Sequence, residues 1–374
     1  MARPSNLSIC CVFVFVLFCL VAFLPTSHSV CPGTVNHAPA LFVFGDSVVD
    51  NGNNAFRNPG VSTRNLPYGI DFPSGPTGRF TNGKNPGDFL AEDLNLPGLP
   101  LAVEDPTAEG SKILNGVNYA SGGSGILDNP DSEFMSLGGQ IDLFEQKTLP
   151  DLRRLFARSG KLAPYLANSI FAFSTGGNDC TKACDDPLNN VEECKGNVKL
   201  LVANLTVHLK RLNDLGVRKF VLFGAQPLGC NPGYVANNNF ECRQELNVVV
   251  KLFSEELNSS LGSLKKAMPD SYFVYVNAYK ITDDVYQNPA SQGFEEIKAS
   301  CCERNGPGCT PGRDPCADRD TYMYFDGAHC TSAMYKLLVD GGFCSEDPEI
   351  VNPFDISRLA AIQVIPTVER SPMK

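Results

Sequence analysis

Short apolar runs recur along the chain, and each gives way abruptly to glycine or to polar residues. Five stand out: "ALFVFG" at 40–45, "GVNYAS" at 116–121, "SIFAFSTGG" at 169–177, "KFVLFGA" at 219–225 and "SYFVYVN" at 271–277. Their brevity and their content of Phe, Val and Ile predict strands buried on both faces. Between them lie helix candidates at 86–94, 138–159, 191–215 and 241–266, the last two with apolar residues at three- and four-residue spacing. Strand and helix alternating this often predict a mainly parallel sheet covered on both sides.

Open parallel sheets bind ligands at the carboxyl ends of their strands. The first run ends in Gly45-Asp46-Ser47, the second in "ASGGSG" from Ala120, and the third in Gly176-Gly177-Asn178-Asp179. A hydroxyl, bare backbone N–H groups and a side-chain amide thus converge on one edge, which is an inventory for acyl transfer.

A serine hydroxyl needs a positioned base before it can attack. Beyond the N-terminal leader the chain has three histidines: His37, before the first strand; His208, an ordinary surface or interface residue within the 191–215 helix; and His329. His329 lies in "YFDGAHCTSAMYKLL", three residues after Asp326, in a loop that runs into a final short helix with Thr331 as its candidate cap. An Asp-x-x-His turn brings the carboxylate to one ring nitrogen and leaves the other for a serine.

The sequence lacks the G-x-S-x-G of an α/β-hydrolase elbow. Its ordered blocks, "FVFGDSVVDNGNN", "NGVNYASGGSGIL", "FSTGGND" and "FDGAHCTS", together with "VLFGAQPLGC" and Cys301-Cys302, resemble the plant GDSL esterases/lipases of the SGNH hydrolase superfamily. The resemblance covers essentially the whole chain after its leader. It implies a flavodoxin-like three-layer α/β/α sandwich around a mainly parallel five-stranded sheet. It further implies Ser47 as nucleophile, Asp326 and His329 as its partners, and an oxyanion hole from the Ser47 and Gly123 N–H groups and the Asn178 amide. Gly122 is the rival to Gly123. Asp46 and Asp179 are expected to bond their own loops. Where the family continues its histidine with Pro-Thr-Glu, this chain has Cys330-Thr331-Ser332.

Arg3, the sixteen-residue apolar run from Ile9 to Leu24 and the small residues "TSHS" predict a secretory leader at 1–29. The run is shorter than the roughly 20 residues of a membrane-spanning helix. Residues 30–374 contain no linker and are expected to form a single domain, secreted and without stable membrane insertion. Twelve cysteines follow the leader, an even number that predicts disulfides. Their spacing does not match a zinc site, so no metal and no cofactor are expected. Cys330 is expected to bond Cys344, Cys301 or Cys302, replacing the missing proline as a restraint on the His329 loop. Asn204 and Asn258 begin N-x-Ser/Thr sequons for glycosylation. A formal charge of −10 argues against nucleic acid as a partner.

The function these features predict is a secreted serine esterase or lipase acting on a small-molecule or lipid ester through an acyl-enzyme. An acyltransferase would use the same residues, and a catalytically silent binding or defence protein on the same scaffold is the alternative outside the enzymes.

Overall fold

The computed structural model describes residues 38–366 apart from 59, 129–133 and 303–307. The expected leader at 1–29 and His37 lie outside the described residues. Nine strands occur among them: β1 (Leu41–Gly45), β2 (Leu101–Ala102), β3 (Val117–Asn118), β4 (Ile170–Ser174), β5 (Lys219–Phe223), β6 (Tyr272–Val276), β7 (Glu296–Ser300), β8 (Tyr322–Tyr324) and β9 (Val351–Asn352).

Seven of these form one sheet in the order β2-β3-β1-β4-β5-β6-β9. The five apolar runs supply its centre, all parallel. Two strands of two residues each, β2 and β9, add an edge on either side, so the sheet has seven strands rather than five. The added β9 runs antiparallel to β6. Two residues are too few to display a period, so neither edge strand left a pattern in the sequence.

Side chains alternate across a strand, and the two faces are chemically different. One face carries Phe42, Phe44, Phe171, Phe173, Phe220, Phe273 and Tyr275 against the helices Val191–Asp214 and Gln244–Ala267. Its rings stack across neighbouring strands, with centroids 4.6 Å apart for Phe42 and Phe171, 5.1 Å for Phe44 and Phe173, and 5.0 Å for Phe220 and Phe273. The other face presents Leu41, Val43, Ile170, Ala172, Val221, Val274 and Val276 to the helices Pro86–Asp93 and Ser332–Phe343. Helix layers on both faces make the three-layer sandwich.

Three helix candidates form as expected, within a few residues of their boundaries. The stretch 138–159 instead divides into Leu137–Leu143, a π turn at Phe144–Thr148 and Leu149–Phe156. Pro150 is the physical reason: it has no N–H to donate to residue 146 and its ring crowds that carbonyl, so the preceding turn widens. Among the described residues no helix is long and apolar enough to cross a membrane.

Four disulfides join Cys184 to Cys194, Cys230 to Cys242, Cys301 to Cys316 and Cys302 to Cys309. Cys344 is also disulfide-bonded. The expected bond at Cys330 does not exist: Cys330 is free and buried, as is Cys180. Its sulfur turns into the apolar layer beside Gln226, 3.4 Å from that residue's Nε2. The loop is restrained by hydrogen bonds instead. The Phe325 N–H donates to the His329 carbonyl at 2.8 Å, Thr81 Oγ1 donates to the Cys330 carbonyl, and the Ser332 N–H donates to Asn82 Oδ1. Thr331 caps the next helix as expected, accepting from the Met334 N–H.

Candidate active site

Parallel register brings three strand ends to one level. Gly45 of β1 pairs with Ser174 of β4, the Asp46 N–H donates to the Ser174 carbonyl, and the Ser121 N–H donates to the Gly45 carbonyl. The approach demands glycine at 45, where φ is +150° and an added Cβ would stand 2.0 Å from the Ser174 oxygen. Just past that level lie Ser47, Gly123 and Asn178.

Asp326 and His329 reach the same place from the second sheet, where β8 pairs with β7. The Ser47 hydroxyl lies 2.7 Å from His329 Nε2, and His329 Nδ1 lies 2.9 Å from both carboxylate oxygens of Asp326. A carboxylate can only accept, so Nδ1–H donates to Asp326 and Nε2 is left to accept the serine proton. The Asp326 side chain is 1% exposed and that of His329 13%. Asp326 is fixed further by the Ala328 and His329 N–H groups and by the Tyr68 hydroxyl.

Burial by itself would make His329 less basic. The Asp326 charge and hydrogen bond outweigh it, assisted by the Asp46 charge, and the imidazole is more basic than usual. Burial likewise pushes the Asp46 and Asp50 carboxyls up to about 6.

Counting N–H partners separates the two candidate glycines. The Gly122 N–H donates to Asp50 Oδ2 at 3.0 Å, and its carbonyl accepts from Asn54 Nδ2. The Ser47 and Gly123 N–H groups have no hydrogen-bond partner among the described residues. Gly123 also sits at φ +83°, with a Cβ site only 2.5 Å from the Phe134 ring. Asn178, on the short turn Gly177–Cys180, donates one amide hydrogen to the Ser124 carbonyl at 2.9 Å, which aims the other away from that carbonyl. An open cavity of about 870 Å³ begins at Gly123 and Asn178 and is lined also by Leu127, Phe134 and Leu200.

Several residues that hold this arrangement carried no signal of their own in the sequence. Gln140, fully buried, accepts from the Gly45 N–H and donates to the Gly45 carbonyl and to Ser124 Oγ, tying the first strand end to the glycine loop. The polar stretch after the serine does similar work: Asp50 accepts the N–H groups of Gly52 and Asn53 as well as that of Gly122, and Asn53 Nδ2 bonds the carbonyls of Asn118 and Ala120. A run of Asp and Asn immediately after a buried strand is the feature that could have marked them, because such side chains satisfy loop backbone.

Asp46 bonds its own loop through the Val48 N–H, as expected. Asp179 instead accepts from the Ile126 and Leu127 N–H groups of the neighbouring loop. His208 lies away from the triad, half-buried beside Gly138 and Asp128. Asn204 is exposed on its helix, whereas Asn258 is half-buried and accepts from Asn352 Nδ2.

Comparison with known proteins agrees with this geometry. Residues 41–341 match the GDSL-like Lipase/Acylhydrolase family. GDSL esterase/lipase At5g08460 of Arabidopsis thaliana is 36% identical over 367 residues, covering 93% of this chain and 94% of its own. GDSL esterase/lipase 7 of the same plant is 35% identical over 340 residues, covering 87% and 93%. Likeness of this extent, joined to strand ends and a β8 loop that bring the four ordered blocks together, places the chain in the GDSL-like lipase/acylhydrolase family of the SGNH superfamily, as a carboxylic ester hydrolase.

Proposed function

We propose that the protein is a secreted serine esterase or lipase that hydrolyses a small-molecule or lipid ester through an acyl-enzyme on Ser47. Residues 1–29 would be its leader and 30–374 its single domain, with Asn204 and Asn258 as glycosylation sites. Four disulfides, the bonded state of Cys344 and the apolar N-terminal run support the secretory route.

Ser47 Oγ attacks the ester carbonyl while its proton passes to His329 Nε2. The oxyanion is held by the Ser47 and Gly123 N–H groups and the Asn178 amide. As the tetrahedral adduct collapses, the C–O bond to the alcohol breaks and His329 returns the proton to the leaving oxygen. Water, deprotonated by the same imidazole, then releases the acid and restores Ser47. The observation that carries this proposal is the unbroken chain Asp326–His329–Ser47 beside two backbone N–H groups that have no partner among the described residues.

A fluorophosphonate probe tests it, since only an activated serine reacts. Labelling of wild-type protein and its loss in Ser47→Ala, together with loss of p-nitrophenyl ester hydrolysis, are expected. Hydrolysis retained by Ser47→Ala would exclude the mechanism.

A further inference from the structure

Asp326 is held on two sides. Its Oδ1 accepts from the Ala328 and His329 N–H groups, both of its own loop. Oδ2 receives a different donor, the hydroxyl of Tyr68, at 2.7 Å from a position 258 residues away in the chain. Tyr68 is 2% exposed, and its ring packs edge-on against Phe325 and Phe80, with centroids 5.6 Å and 6.5 Å apart. Phe80 lies in turn over the His329 ring at 4.9 Å.

The direction of the tyrosine proton follows from its second neighbour. The Cys309 N–H donates to the same hydroxyl at 3.2 Å. An N–H cannot accept, so the phenol accepts from Cys309 and its own hydrogen goes to Asp326. Cys309 is disulfide-bonded to Cys302, whose N–H donates to the Phe325 carbonyl, one residue before Asp326. Tyr68, the disulfide and the aspartate therefore close a ring of covalent and hydrogen bonds, all buried.

Resting on the serine mechanism above, we propose that Tyr68 is a positioning residue of the triad. Its hydroxyl pins Oδ2, and the disulfide loop pins the hydroxyl, so that the carboxylate stays coplanar with the imidazole edge that must carry positive charge in the transition state. The two backbone N–H groups fix Oδ1 alone, so apart from Tyr68 the contact at Oδ2 is with the very imidazole that the carboxylate must orient. A hydrogen bond to a charged group in a buried site is among the stronger ones.

Tyr68→Phe keeps the ring packing and removes only the donor. Its kcat for p-nitrophenyl acetate is expected to fall by about tenfold to a hundredfold, the range that loss of one charged hydrogen bond allows. KM should stay within about twofold, because Tyr68 touches the triad and not the ester. Fluorophosphonate labelling should slow by the same factor as kcat. Rates are taken per serine titrated with the probe at completion, so a smaller folded fraction does not enter. In an Asp326→Asn background the further change Tyr68→Phe should have almost no effect, because no carboxylate remains to be held.

Wild-type kcat in Tyr68→Phe would overturn the proposal, and so would an equal loss in the presence and absence of Asp326. Both outcomes leave a labelled, active serine and are distinct from failure of the serine mechanism, in which wild-type protein would not label at all.

Discussion

Ser47 Oγ and His329 Nε2 stand 2.7 Å apart although 282 residues separate them, and Asp326 holds the far side of the same ring. Groups linked in this way act as one unit. Ser47→Ala and His329→Ala are each expected to lower kcat by on the order of 10⁶, and the double variant to be little worse. Asp326→Asn should cost less, about 10⁴, because serine and base remain. Rates of p-nitrophenyl butyrate hydrolysis check this; single losses that multiply in the double variant would mean independent roles.

The pH dependence of activity follows from His329, which must be neutral to take the serine proton. Its folded pKa lies above the ordinary 6.5, the Asp326 and Asp46 charges having overcome burial. Protonation at low pH therefore removes the base, and kcat/KM should rise with pH through a single midpoint above 6.5 to a plateau. Asp46→Asn removes one of the charges that favour the imidazolium and should move that midpoint down. A profile flat between pH 5.5 and 8 would exclude His329 as the base.

Asn178 offers a neutral donor already aimed by the Ser124 carbonyl. Asn178→Ala is expected to lower kcat by about 10²–10³ with KM nearly unchanged, the mark of a bond made in the transition state. A rise in KM alone would make it a residue that only binds substrate. Alanine at Gly122 or Gly123 is a poorer test, because either new methyl meets an aromatic ring, Phe80 or Phe134, at under 3 Å.

Cys330 stands beside His329 as a free thiol, and burial pushes it up to about 12, so it remains a neutral, inert SH at physiological pH. Native protein should resist iodoacetamide at this position. In denaturant without reductant, peptide mapping should find Cys180 and Cys330 alkylated and the paired cysteines protected. Cys330→Ala should cost roughly 1 kcal/mol of stability and leave kcat within a few-fold, since hydrogen bonds rather than the sulfur hold the loop.

The sequence alone determined the five central strands, the two long helices, and the serine, aspartate and histidine to be brought together. Its signals were local: apolar runs of strand length, a 3.6-residue period, and glycine-rich breaks where backbone must be bare. The ordered blocks added the roles of Ser47, Asp326 and His329 by resemblance. Tertiary structure decided everything that depends on a partner distant in the chain. Gly122 and Gly123 are equivalent as sequence, and only the Asp50 carboxylate, bonding one N–H and leaving the other, tells them apart. Gln140 and Tyr68 look like any helix or loop residue until register and loop packing bring them to Gly45 and Asp326. Cysteine parity favoured complete pairing, yet Cys330 turns into the apolar layer and stays free, because a disulfide needs a particular geometry and not merely an even count.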